Sequence, residues 1–263
     1  MNQTTVLLFL STLPVIIILL WVYQKDKEKE PFLLLIQFFG LGVLSCFLVL
    51  FISKVLGNFI PFMNINTENK NTIYILLYSF IGVALVEESC KWIMLYKKGY
   101  HHKEFDESYD ILLYAIFVSL GFAFFENVAS AMIKQNMKLA ILRAISAVPA
   151  HACDAVFMGY HLTMAKHYYY HHNEKKERQH KILSIVIPTL LHGIYDFCLL
   201  INVKFFIHIY VFFIVTMYAI SIQKLKKSSR ENHRIIKKSI FCSKCGAKVN
   251  GTFCPKCGSK QDE

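Results

Sequence analysis

Seven stretches of this chain, 5–23, 32–55, 72–96, 109–133, 139–165, 182–202 and 204–222, are long and apolar enough to cross a bilayer. Backbone N–H and C=O groups find no water inside hydrocarbon, so a spanning segment must be a helix or a strand of a closed barrel. Continuous apolarity over such lengths selects helix. The expected fold class is all-α, a polytopic membrane helix bundle of seven spans. A 55% hydrophobic composition over 263 residues agrees with this. Loops are short except 56–71 and 166–181, so no soluble catalytic domain fits between the spans.

Lys and Arg set the expected orientation. Lys25, Lys27 and Lys29 follow span one, Lys97, Lys98 and Lys103 follow span three, and Lys166, Lys175, Lys176, Arg178 and Lys181 follow span five. Lys224, Lys226, Lys227, Arg230, Arg234, Lys237 and Lys238 follow span seven. The alternate loops hold only Lys54 and Lys70, Lys134 and Lys138, and Lys204. The positive-inside rule then places the N-terminus outside and the C-terminal tail in the cytosol of a multi-pass cell-membrane protein. The first span has neither a basic n-region nor a small-residue cleavage site, and reads as an uncleaved anchor. The net charge of +11 belongs to cytosolic loops, and no nucleic-acid partner is expected. Tyr100–His102 and Tyr168–His172 sit at span ends and read as an interfacial aromatic belt.

The tail carries Cys242-Ser-Lys-Cys245-Gly and, eight residues on, Cys254-Pro-Lys-Cys257-Gly. Two such turns are zinc knuckles, and four thiolates make a closed tetrahedral structural site. A segment spanning 241–260 has almost no core, so the metal supplies its folding energy. Disulfides are disfavoured in a reducing cytosol. Cys46, Cys90, Cys153 and Cys198 are scattered singly and read as small packing residues. The basic linker 223–240 is expected at the anionic lipid surface, and the ribbon could dock a cytosolic partner.

Ionisable residues inside the spans carry the functional signal, since each costs at least ~2.5 kcal/mol at bilayer depth. Glu87 and Lys91 are four apart on one helix face, with Glu88 about 100° around the same turn. One carboxylate could pair with Lys91 while the other stays free for proton work; a buried structural ion pair is the alternative. Glu126 and Asn127 follow in span four, where Gly121 allows a neighbouring helix to approach closely. In span five Pro149 interrupts the backbone ladder before His151, and Asp154 could fix the His151 tautomer or cap the loosened turn. In span six His192 and Asp196 are four apart, and Pro188 is expected to kink the helix.

The series Glu-Glu-x-x-Lys, Phe-Ala-x-x-Glu-Asn, Pro-x-His and His-x-x-x-Asp, one per successive span, resembles the PrsW family of intramembrane proteases. That family sits in the wider group holding the membrane CAAX-processing proteases and bacteriocin-immunity proteins. The resemblance covers about residues 30–200 and implies glutamate-dependent, metal-assisted peptide hydrolysis inside the membrane. By the match, Glu87, Glu88, Glu126, His151, His192 and Asp196 are catalytic positions, with Lys91, Asn127 and Asp154 supporting. His151, His192 and Glu126 could hold a catalytic zinc or another divalent metal; alternatively the histidines stabilise an oxyanion. Family members make the first cut in a single-span anti-sigma factor, releasing a stress response, which implies a membrane-anchored substrate and a bacterial source. The chain then divides into a protease-like domain (1–222), the linker (223–240) and the ribbon (241–260). A proton- or ion-coupled transporter and a non-catalytic adaptor are the competing readings, although no inverted repeat is visible.

Overall fold

Asparagines begin four of the helices. Asn2, Asn71, Asn136 and Asn173 each accept a hydrogen bond from a backbone N–H of the first turn, satisfying a donor that the helix itself leaves unpaired. In the computed structural model, which describes residues 2–63, 71–201, 203–235, 240–242, 244–249 and 254–259, nine α-helices result. They are α1 (Gln3–Lys25), α2 (Phe32–Gly57), α3 (Thr72–Leu77), α4 (Val86–Leu95), α5 (Asp110–Lys134), α6 (Met137–Ile145), α7 (Ala147–Tyr170), α8 (Glu174–Leu200) and α9 (Lys204–Arg230). π-helical turns at Tyr78–Leu85 and Tyr96–Tyr100 join α3 to α4 and extend it, making one continuous span. Among the described residues seven helical segments are long and apolar enough to cross a membrane, as expected. Lys70, Lys237 and Lys238 lie outside the described residues.

Helix α5 is the centre of the bundle, buried without a break from Asp110 to Ala123. It packs against α1, α2 and α7. Gly121 sets the distance to α2: a Cβ there would lie 2.1 Å from the Phe39 carbonyl oxygen, so only glycine permits this approach. The outer helices expose Ile17, Phe51 and Phe212, apolar surface suited to lipid.

Two segments differ from the expected spans. The fifth is a pair of helices broken at Ser146 (φ −118°, ψ −60°) rather than one. The cause is Pro149, whose missing N–H cannot close on the Ile145 carbonyl four residues back. The Tyr218 hydroxyl compensates, donating to the Ser146 carbonyl at 2.8 Å and reaching that of Ile145 at 3.3 Å. Helix α9 runs past residue 222 to Arg230, because its Lys- and Ser-containing end still forms helix. The chain then turns back, and 232–235 pair with the loop before α5. Ser108 N–H donates to the His233 carbonyl (3.0 Å) and Ile235 N–H to that of Asp106 (2.7 Å). Helix α8 continues through Pro188.

Beside this tail segment, the loop between α1 and α2 buries Glu30, which accepts from the Tyr114 hydroxyl at 2.6 Å. Burial pushes its carboxyl up to about 7; the tyrosine bond opposes the rise and nearby Asp26, Glu104 and Asp106 reinforce it. A carboxyl raised on folding adds no penalty below its unfolded value and its full penalty above the folded one. Stability should therefore fall as pH rises from about 4.5 to about 7. Glu30→Gln should flatten that slope and stabilise the protein at pH 8 by on the order of 3 kcal/mol. Apparent Tm of the detergent-solubilised protein across this range measures it, and identical slopes for both proteins would refute the assignment.

In the tail, β1 (Ile240–Phe241) pairs antiparallel with β2 (Lys248–Val249). The Sγ atoms of Cys242, Cys245, Cys254 and Cys257 all lie within 4.8 Å of one another. No disulfide joins them, the Cys242–Cys257 and Cys245–Cys254 sulfurs being 3.5 Å apart. Gly246 (φ +68°) and Gly258 (φ +70°) adopt the left-handed conformation that closes each knuckle. The cluster is compatible with zinc. Cys245→Ser is expected to lose one equivalent of tightly bound zinc per chain by elemental analysis, while the membrane helices keep the wild-type Tm. Unchanged zinc content would exclude a site on these thiolates.

Candidate active site

Four spans bring the intramembrane ionisable residues together. Glu87 and Glu88 begin α4 directly after the π-helical turn. Glu126 comes from α5, His151 and Asp154 from α7, and His192 and Asp196 from α8. The approach of α8 depends on Gly193, where a Cβ would lie 2.5 Å from the Phe80 ring of the π-helical turn. That contact lets the neighbouring His192 reach α4.

Lys91 lies at the centre. Its Nζ is 2.7 Å from Glu88 Oε1, 3.1 Å from His151 Nδ1 and 3.6 Å from Glu87 Oε2. It also sits 4.1 Å from the centroid of Phe122, so an aromatic face closes the remaining side. The stronger lysine partner is thus Glu88. Glu88 is fully buried and also meets His192 Nδ1 at 2.9 Å. The other edge of His192, Nε2, stands 3.5 Å from Asp196 Oδ2 and 3.9 Å from Glu87 Oε2. His151 Nε2 meets Glu126 Oε2 at 3.2 Å, and Ser119 Oγ donates to the His151 carbonyl from α5.

A cavity of about 290 Å³ opens beside this cluster. Glu87, Glu126, His151, Asp154, His192 and Asp196 all line it, and Glu88 does not. Tyr78, Val83, Ala147, Leu199 and Leu200 supply apolar wall. Asp196 is four residues from the end of α8, roughly 6 Å along the axis at the helical rise. The site therefore lies nearer the membrane face that carries the lysine-poor loops.

Donors for a metal are present, in a different combination from the expected His151, His192 and Glu126. Ligand atoms of Glu88, His151, Asp154 and His192 lie within 4.8 Å of one another. Glu88 Oε2 and Asp154 Oδ1 are buried without a hydrogen-bond partner, as oxygens available to a cation would be. Two imidazoles and two carboxylates suit zinc. Lys91 shares two of these donors, so a metal on all four requires its ammonium to move aside. Glu126 is instead engaged by His151 and by Arg143, whose Nη2 is 2.8 Å away. Asn127 takes the Arg143 Nε donor at 2.8 Å. Arg143 is absent from the sequence expectation. The signal was available, since an arginine within a span expected from 139 to 165 is as costly as the acids.

This geometry can be set beside known proteins. Residues 30–220 match the family model described as PrsW family intramembrane metalloprotease. The chain belongs to that family. Among its PrsW relatives, the Protease PrsW of Clostridioides difficile (strain 630) is 29% identical over 87% of this chain and 94% of its own. Those of Oceanobacillus iheyensis and Bacillus subtilis (strain 168) are each 34% identical, covering 82% and 83% of this chain and 93% and 94% of theirs. No solved structure matches this chain. PrsW membership makes the chain a membrane peptidase and favours proteolysis over transport or scaffolding. Glu87, Glu88, Lys91, Glu126, Asn127, His151, Asp154, His192 and Asp196 all fall inside the matched range, whereas the ribbon cysteines lie beyond it.

Proposed function

We propose that the protein is a glutamate-dependent intramembrane endopeptidase in which Glu87 is the general base. The observation that carries this reading is the division of labour between the two adjacent acids. Glu87 faces the cavity, while Glu88 is sealed between Lys91 and His192. A base must reach the proton it removes, and Glu87 can do so.

A water in the cavity gives its proton to Glu87 as its oxygen attacks a peptide carbonyl carbon. The same proton then passes to the leaving amine as the C–N bond breaks. His192, held between Glu88 and Asp196, presents Nε2 toward the cavity as donor to the developing oxyanion. Lys91 keeps Glu88 charged and in place. With the Lys91 ammonium moved aside, Glu88, His151, Asp154 and His192 would instead hold a divalent metal, which when bound would polarise the carbonyl in place of the His192 donor.

The substrate is a membrane-anchored protein, such as an anti-sigma factor, cut near the outer face of the membrane. Two features support that side: the charge alternation of the loops, which places the tail in the cytosol, and the position of Asp196 near the lysine-poor end of α8. Within this reading residues 1–222 carry the catalytic core, and residues 241–260 fold on a structural zinc.

The test is a survey of protein N-termini in membranes of cells expressing the wild type or Glu87→Gln. A new terminus beside one membrane span, absent with the variant, is the expected result. Identical termini at matched expression under several envelope stresses would overturn the proposal.

A further inference from the structure

Arg143 is the one ionised side chain that α6 sends toward the reaction centre; Lys138, the other charge on this helix, is exposed. Its guanidinium bridges two residues of α5, Glu126 Oε1 through Nη2 and Asn127 Oδ1 through Nε, both at 2.8 Å. The other Glu126 oxygen meets His151 Nε2 at 3.2 Å. On the far side of that ring, Nδ1 meets Lys91 Nζ at 3.1 Å. An ammonium only donates, so Nδ1 is the acceptor and Nε2 carries the proton toward Glu126. Glu126 is partly exposed to the cavity and would be free to rotate without a second hold. The guanidinium, anchored by its Nε hydrogen bond to Asn127, supplies that hold through the ion pair of Nη2 with Glu126 Oε1. Helix α6 ends one residue before the break at Ser146 and packs against α5, which puts Arg143 beside Glu126. Tyr195 and Tyr218 pin the break from α8 and α9.

We propose that Arg143 is a positioning residue, which clamps Glu126 so that the His151 ring is held with its Nε2–H on Glu126 and its Nδ1 edge turned to the centre. Its catalytic consequence rests on the peptidase reading above, but the clamp itself does not.

The experiment is 15N spectroscopy of histidine-labelled protein reconstituted in phospholipid vesicles, with His151 assigned by its loss in His151→Asn. Wild type should show His151 protonated on Nε2 and unprotonated on Nδ1. Arg143→Met should shift or split the Nε2 signal, Arg143→Lys should keep it near its wild-type position, and Arg143→Met with Glu126→Gln should match Glu126→Gln alone. His151 signals unmoved by Arg143→Met overturn the proposal. Should Arg143→Met fail to fold, Glu126→Gln carries the test, and an unmoved Nε2 signal there overturns it equally. In a cleavage assay on a single-span reporter, Arg143→Met should lose about 10–100-fold in kcat with KM unchanged. Failure of the wild type to cut any reporter would fall on the proposed function, and the spectra would still decide the clamp.

Discussion

Glu87→Gln is expected to lower turnover of a reconstituted single-span substrate by about 10²–10⁴-fold, the range a positioned general base supplies. Glutamine preserves the shape of the side chain and cannot take the proton from water. KM should change little, because Glu87 is one of many residues lining the cavity. Expression and Tm should stay near wild type: Lys91, its neighbour at 3.6 Å, keeps the closer Glu88. A Glu87→Gln protein that retains more than about a tenth of wild-type kcat would remove Glu87 from the base role.

The second large effect concerns stability. Lys91 is 1% exposed and is the cation around which Glu88, Glu87 and His151 gather. Lys91→Met would leave the buried Glu88 with His192 alone beside it, and losing one partner of a buried charge pair costs up to about 3–5 kcal/mol. The variant should show a sharply reduced Tm and low yield from membranes. Adding Glu88→Gln removes the stranded charge, so the double variant should recover much of the lost stability while remaining inactive. The diagnostic quantity is the coupling between the two substitutions in Tm. Strict additivity, or a Lys91→Met protein as stable as wild type, would mean the pair does not hold the centre together.

Much of the fold was readable because hydrocarbon imposes so strong a rule. Apolar runs, the lysine alternation and the four-residue spacings of Glu87–Lys91 and His192–Asp196 all depend on local periodicity. What periodicity cannot reveal is which side chain wins a shared partner. Glu88, not Glu87, takes the closer position on Lys91, 2.7 Å against 3.6 Å, and spacings of three and four residues are equally compatible with a pair on one helix face. Asp154 places an oxygen within 4.8 Å of ligand atoms of Glu88, His151 and His192, a meeting of α4, α7 and α8 that spacing along one helix does not reveal. The break at Ser146 was half legible: Pro149 announced a loosened ladder, but not that α6 would swing Arg143 back onto Glu126. The ribbon was the easiest part, because four cysteines at two short spacings leave few other arrangements.

The turn at Tyr78–Leu85 makes chain length, and not only composition, a determinant of this centre. Each of its hydrogen bonds closes over one more residue than in an α-helix. Shortening it by a single residue would allow an ordinary helix, and intrinsically a more comfortable one. A residue gained or lost there without such rewinding would instead turn α3 and everything before it by about 100° relative to Glu87 and Glu88. Two relatives identical at every polar position could therefore differ in activity through one insertion or deletion in a stretch with no chemistry of its own. Gaps within 78–85 are thus as telling as changes at the acids themselves.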